Sequence, residues 1–301
     1  MQVLYAMNRD KEMTPKQGML LYSMTIRHSF ELYLFNLLQL VRVAEYSKLD
    51  LAVKLAKHRP SEDDKSFSAK LFENELVQSI LDNRGFKNLI KLHKTEERVS
   101  ENNTRILYHE FAKTDLYKSY LDQKQSGPKD HLQILLDLYK CCLSGELFNE
   151  LMEDGFLSWA DDKSLVIGAM KKTIKALPVE GAFYQEFEPT DETVREFGEA
   201  LLQQVTQSDH QLLEEIEPTL KNWDADRVAI IDMILLKMAV CELMGFPTIP
   251  TKVTLNEFVE ISKQYSTDKS KDFINGILDR LMKKLTKEGK IVKEGRGLLE
   301  E

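Results

Sequence analysis

Between Asn222 and Arg280 the chain carries an ordered series of helix starts, helix stops and apolar faces, and this stretch limits the fold more than any other. Asp224, Asp226 and Arg227 precede the apolar series Val228, Ile231, Leu235, Met238 and Cys241 or Glu242. That spacing predicts an amphipathic helix, with acids in its first turn against the positive end of the dipole. Gly245 stands where a C-cap belongs, and Pro247 and Pro250 forbid continuation, so Phe246–Pro250 is expected to be a short extended connection. Thr254 and Glu257 read as a capping box, with Leu255, Phe258, Val259 and Ile261 on the buried side of the next helix. A polar turn, Tyr265 to Lys269, leads to a last helix with Phe273, Ile274, Ile277, Leu278, Leu281 and Leu285 on one face. Three helices with short connections predict an antiparallel bundle.

Three residues in this stretch fit the bundle less simply. Asp232 falls inside the apolar helix, and the pattern alone leaves open whether it faces solvent. Phe273, by spacing, belongs to the core. In Asn275-Gly276, the glycine costs roughly 1 kcal/mol relative to Ala inside a helix. Close packing against a neighbouring helix is the expected reason, and close approach of another backbone or of RNA is the other.

Upstream, helical periodicity dominates and no strand-rich region or short repeat stands out. Thr14-Pro15 opens a helix that runs to about His58. Further helical stretches are expected at Ser66–Asn83 with Gly85 as the stop, at Thr104–Tyr120, at Lys129–Met152 after the Gly127-Pro128 break, and at Trp159–Ala176. After a loop-like Leu177–Pro189, helices return at Thr190–Val205 and Asp209–Leu220. The fold class is therefore expected to be all-α. With 301 residues and 43% hydrophobic content, the chain can form one large or two modest cores. The expected division is an N-terminal part, 1–185, and a C-terminal part, 186–301.

The net charge of −8 does not announce a nucleic-acid binder. The end of the chain is nonetheless basic, from Arg280 through Lys283, Lys284, Lys287, Lys290 and Lys293 to Arg296. Two readings stand: a frayed helix end suited to the C-terminal dipole, or added attraction for nucleic acid. The three cysteines, Cys141, Cys142 and Cys241, form no disulfide or metal-ligand pattern, which fits reduced thiols in the cytoplasm. Leu32–Val43 is apolar but holds Asn36, Gln39 and Arg42, so a core helix is expected there rather than a membrane span. An enzyme would be expected to carry a phosphate loop, a dinucleotide fingerprint, HExxH or GxSxG, and none occurs. No cofactor and no metal are expected.

The stretch resembles the C-terminal half of the NusB family of bacterial antitermination factors. The residues that carry the likeness are Asn222-Trp223, Arg227, Glu242-Leu243, Ile249-Pro250-Thr251-Lys252-Val253, Asn256-Glu257, Thr267-Asp268 with Ser270, and Phe273-Ile274-Asn275-Gly276-Ile277-Leu278-Asp279. Gln2-Val3-Leu4-Tyr5 is similar to the opening of the family's first helix. The resemblance implies an all-helical, non-catalytic protein of two packed helical subdomains. It implies pairing with the ribosomal protein NusE and binding of single-stranded boxA RNA within a complex on RNA polymerase. On that basis Gln2, Lys252, Asp268, Lys269, Ser270, Phe273 and Asn275 are candidate RNA contacts, and Tyr5 and Asp232 are candidate partner contacts. Some RNA methyltransferases carry a NusB-like domain, but the catalytic domain that would follow it does not occur in this sequence.

Residues 60–182 have no counterpart in the resemblance and are expected to enlarge the N-terminal part. The family's arginine-rich segment ahead of Gln-x-Leu-Tyr also has no counterpart here, so RNA affinity is expected to be weak without help. A helical protein-binding module with no RNA binding of its own is the alternative.

Overall fold

The computed structural model describes residues 1–220, 224–267 and 269–299, and Asp63 by its backbone only. Asn222-Trp223 and Asp268 thus lie outside the described residues. Every regular element among the described residues is helical, as expected. The chain forms two compact units, one of residues 1–24 with 190–301 and one of residues 25–189. The expected division near residue 185 is close to the later boundary, but it kept the first helix with the N-terminal part. In the structure Val3 and Leu4 are buried in the C-terminal core.

In chain order the helices are α1 (Gln2–Arg9), α2 (Pro15–Leu55), α3 (Glu62–Ser66), α4 (Lys70–Glu73), α5 (Glu75–Asp82), α6 (Arg84–Leu92), α7 (Glu101–Ala112) and α8 (Asp115–Asp122). They continue as α9 (Pro128–Ser144), α10 (Glu146–Gly155), α11 (Trp159–Lys175), α12 (Ala200–Gln207), α13 (Asp209–Ile216), α14 (Ile230–Gly245), α15 (Thr251–Tyr265) and α16 (Ser270–Lys287). Helix α2 starts where Thr14-Pro15 predicts. The Thr14 hydroxyl accepts from the Gln17 N–H, and the Gln17 side chain accepts from the Thr14 N–H at 2.8 Å. That reciprocal pair satisfies two donors at the helix start.

In the unit 25–189, residues 32–41 of α2 are buried on every side. Its polar residues are each satisfied, which is what such burial requires. Asn36 donates to the Leu32 carbonyl and accepts from the Tyr139 hydroxyl, and Gln39 donates to Thr104 Oγ1 at 3.0 Å. The shorter helices around it are started by side chains: Asn74 caps α5, Asn83 caps α6, Ser100 caps α7 and Thr114 caps α8. Two expectations change here. Gly85 does not stop a helix but lies inside α6, where a Cβ would collide with the Tyr184 hydroxyl. The expected helix over Lys129–Met152 is two helices, because the chain turns extended at Gly145.

The other unit is built around α14. Helices α1, α12, α13, α15 and α16 all pack against it. It is not the amphipathic helix expected from Val228 onward. It begins at Ile230, after a short turn at Ala225–Arg227, and its middle, from Ile234 to Leu236 and from Met238 to Leu243, is buried without a polar face. Burial all round is why apolar residues fill every turn. Ahead of α12, residues 192–199 form a π-helix, and the Tyr22 hydroxyl donates to the Val194 carbonyl there at 3.1 Å.

The capping box expected at Thr254 does not form. Helix α15 starts four residues earlier, directly after Pro250, whose fixed φ suits a helix start. Thr254 is instead fully buried inside α15, and its hydroxyl donates to the Pro250 carbonyl at 3.5 Å. The Phe246–Pro250 connection is a turn, closed by the Ile249 N–H on the Phe246 carbonyl, rather than an extended segment.

Candidate functional site

The connection between α15 and α16 is held by one carboxylate. Asp232, in the first turn of α14, is buried, and Oδ1 accepts from Ser266 Oγ at 2.6 Å while Oδ2 accepts from Ser270 Oγ at 2.8 Å. Ser266 Oγ also reaches Ser270 Oγ at 2.8 Å, and the Thr267 and Ser270 hydroxyls are 2.9 Å apart. Backbone bonds from Ser266 N–H to the Ser262 carbonyl and from Ser270 N–H to the Thr267 carbonyl complete the turn. Charge-assisted hydrogen bonds of this length fix the relative positions of their partners. The turn is thus tied to the central helix of its unit.

This arrangement corrects two expectations. Asp232 is not displayed on the surface for a partner, because both carboxylate oxygens are spent inside the unit. Ser270 is not an exposed RNA donor either, since it is buried and its hydroxyl serves Asp232. The sequence signal for the pair was weak, because the two residues lie on different helices 38 positions apart.

Lys269 is exposed directly before α16, and Phe273, four residues on, is half-buried against the C-terminal core. Residues four apart share a helix face, so the cation and the aromatic stand together. Asn275 is exposed, but at about 100° per residue it points well away from Phe273. The tight packing expected at Gly276 is not seen among the described residues. Among the described residues outside its own helix backbone, a Cβ there would meet only Arg280 Nη2, at 3.8 Å.

Lys252 belongs elsewhere. It is exposed near the start of α15, about 20 Å along that helix from the turn at Ser266. There it lines a groove of about 950 Å³ whose walls include Phe197, Met238, Phe246, Asn256, Glu257 and Phe258. Glu242 also lines this groove. Burial pushes its carboxyl above the ordinary range, against the opposing Thr254 hydrogen bond and the nearby Lys293 charge. Gln2 is exposed at the start of α1. Tyr5 is 38% exposed on the same helix, while Val3 and Leu4 beside it are buried.

The basic end of the chain is largely spent on the protein itself. Lys283 pairs with Asp279, Lys284 and Lys290 pair with Glu215, and Arg296 pairs with Glu192. The segment after α16 is not frayed. Lys293 Nζ donates to the Phe246 carbonyl at 3.0 Å, and the Glu294 N–H donates to the Pro247 carbonyl at 3.0 Å.

The described residues thus form an all-helical frame in which a pinned turn and the start of one helix carry a cation and an aromatic four residues apart. A model described as the NusB family matches residues 163–283. The chain is 39% identical over 109 residues to the transcription antitermination protein NusB of Salinibacter ruber, covering 36% of this chain and 68% of that protein. It is 46% identical over 79 residues to the protein of the same name from Chloroherpeton thalassium, covering 26% of this chain and 37% of the relative. Against that of Natranaerobius thermophilus it is 43% identical over 83 residues, covering 27% of this chain and 60% of the relative. No solved structure matches the chain significantly. The chain belongs to the NusB family.

Proposed function

We propose that the protein is a transcription antitermination factor of the cytoplasm that acts by binding rather than by catalysis. It pairs with the ribosomal protein NusE through a surface that includes Tyr5, and the pair takes up single-stranded boxA RNA within the antitermination complex on RNA polymerase. Its membership of a family whose relatives are named for antitermination supports the role. The observation that carries the RNA part is the Lys269–Phe273 pair beside the pinned turn. Single-stranded RNA is held by aromatic rings that stack on splayed bases and by cations on phosphates. A half-buried ring with an exposed lysine four residues before it supports this reading. Among the described residues no helix is long and apolar enough to cross a membrane.

The test is fluorescence anisotropy with a boxA-type oligonucleotide, with and without NusE. Binding that tightens when NusE is added, and that weakens with salt, is the expected result. No gain in RNA affinity on adding NusE, with pairing to NusE intact, would instead identify a protein-binding module without an RNA role.

A further inference from the structure

We propose that the unit of residues 25–189 holds single-stranded RNA of its own, along the exposed face of α6. The inference rests on the antitermination reading above, which sets the protein at a transcript, and it concerns a helix outside the matched residues 163–283. From Asn83 to Thr95 the sequence holds Arg84, Lys87, Lys91, His93 and Lys94 and no acid, in a chain with 49 acids. Arg84, Lys87 and Lys91 are spaced by three and four residues, so they share one face of α6, and Lys94 follows just past its end. All four are exposed.

Helix stability does not account for this stripe. Cations suit the C-terminal end of a helix dipole, which explains Lys91 and Lys94 but not the other two. Arg84 opens α6 at the positive end of the dipole, and the first turn has no acid. Lys87 and Lys91, four residues apart, repel each other on the same face. Among the described residues none of the four cations forms an ion pair or a side-chain hydrogen bond. Nearby acids are engaged elsewhere: Glu31 with His93 and Arg98, Glu96 with Arg42, and Glu186 with Lys172. Asp82 and Glu97 stand exposed at the two borders of the run, and neither pairs with it. The stripe thus carries uncancelled charge that an anion from outside would satisfy.

What borders the stripe favours RNA over an acidic protein. The Asn83 side chain donates to the Gly181 carbonyl at 2.7 Å, which ties the segment before Tyr184 to the start of α6. The Tyr184 hydroxyl lies against Gly85, where a side chain would collide with it. Half-buried Tyr184 is thereby seated beside the first turn. At about 100° per residue, Asn88 and Leu92 fall between Gly85 and the cations, and both are exposed. An acidic peptide would engage the cations alone. A nucleic-acid strand also uses an amide for base edges and aromatic or apolar surface for base faces.

The probe is a fluorescent oligouridylate of about 20 nucleotides, which spans several cation sites and contains no boxA, with the whole protein and no NusE. Binding at low salt that weakens as salt rises is expected. The combined variant Arg84→Gln, Lys87→Gln, Lys91→Gln and Lys94→Gln is expected to bind about tenfold less tightly or worse, and to flatten the salt slope by about 0.7 for each cation that meets a phosphate. Its melting temperature is expected to match or exceed that of the wild type, because glutamine keeps helix propensity and the like charges are gone. If the four-site variant does not fold, Lys87→Gln with Lys91→Gln carries the same test with half the change in slope. Tyr184→Leu is expected to bind about fivefold less tightly at an unchanged slope, as for the loss of one stacked base. Wild-type affinity in the folded cation variant or in Tyr184→Leu would overturn the proposal. Oligoglutamate of equal length binding as tightly as oligouridylate would overturn it too, in favour of an acidic protein partner. Oligouridylate left unbound by a protein that takes up boxA RNA with NusE would overturn this site and leave the RNA reading intact. Failure with boxA RNA, while oligouridylate still binds through α6, would defeat the boxA reading alone.

Discussion

Asp232 Oδ2 accepts a hydrogen bond from Ser270 Oγ at 2.8 Å, so a residue in the first turn of α14 fixes where α16 begins. Removing the carboxylate takes the acceptor from the buried Ser270 hydroxyl and the part-buried Ser266 hydroxyl. Asp232→Ala is expected to cost about 1–3 kcal/mol of stability. Asp232→Lys is expected to cost more, because it places an unpaired cation in a buried site. Urea unfolding checks both, and an unchanged midpoint would show that the turn is held by its backbone alone.

Phe273 has two duties to separate, core packing and exposure at the rim. Phe273→Leu keeps most of the apolar volume and removes the flat ring. It is expected to melt near the wild-type temperature while losing about 1–3 kcal/mol of RNA affinity. Phe273→Ala is expected to lose both, with a stability cost below the roughly 3–5 kcal/mol of a fully buried Phe. Equal RNA affinity for the wild type and Phe273→Leu would make the residue core only.

Tyr5 can be probed with little risk to the fold, because the buried anchors of its helix are Val3 and Leu4. Tyr5→Ala is expected to weaken co-elution with NusE on gel filtration and to leave thermal unfolding within about 0.5 kcal/mol of wild type, as for a surface change.

Glu242 makes a prediction in pH. Burial raises its carboxyl above the ordinary value of 4.5, so folding favours the protonated form. Below that ordinary value the group is protonated in both states, and burial carries no charge penalty. As pH rises through the raised folded value, stability is lost. Glu242→Gln should therefore gain on the wild type as pH rises from about 4 to 7, and melting curves at several pH values measure the gap. A gap that does not change with pH would mean that burial does not control this carboxyl.

Glu215 predicts the opposite trend. Hydrogen bonds from Lys284 and Lys290 hold its carboxyl below the ordinary range. The stability they contribute is present above the unfolded value and is lost as pH falls through the folded one. Glu215→Gln should thus be less stable than wild type near neutrality, with the difference closing in acid.

Much of the fold was legible because local chemistry and tertiary structure agree. The Thr14–Gln17 pair, the start of α9 at Gly127-Pro128 and the apolar face of α16 each follow from residues close in sequence. The centre of the C-terminal unit was misjudged for a different reason. From Ile230 to Leu243 nearly every face of the helix is apolar, and selecting positions three and four apart made one stripe out of a fully buried cylinder. The missing polar face was the available signal. Thr254 failed as a cap because Pro250 had already set the start of its helix.

The candidate site was less legible than the fold. Lys269 and Phe273 could be placed by spacing, since both lie on one helix. The role of Asp232 could not, because its hydroxyl partners belong to an element 34 and 38 residues downstream. Lys252 lies close in sequence to Asn256 and Glu257, yet the length of α15 separates it from the turn.

The way the chain turns back after α16 has a practical consequence. Lys293 and Glu294 clasp the carbonyls of Phe246 and Pro247, and a side chain at Gly297 would strike the Pro247 carbonyl. Shortening the protein at Lys287 would therefore unfasten the corner between α14 and α15, so a cropped version is a poor stand-in for the whole molecule in any ligand assay.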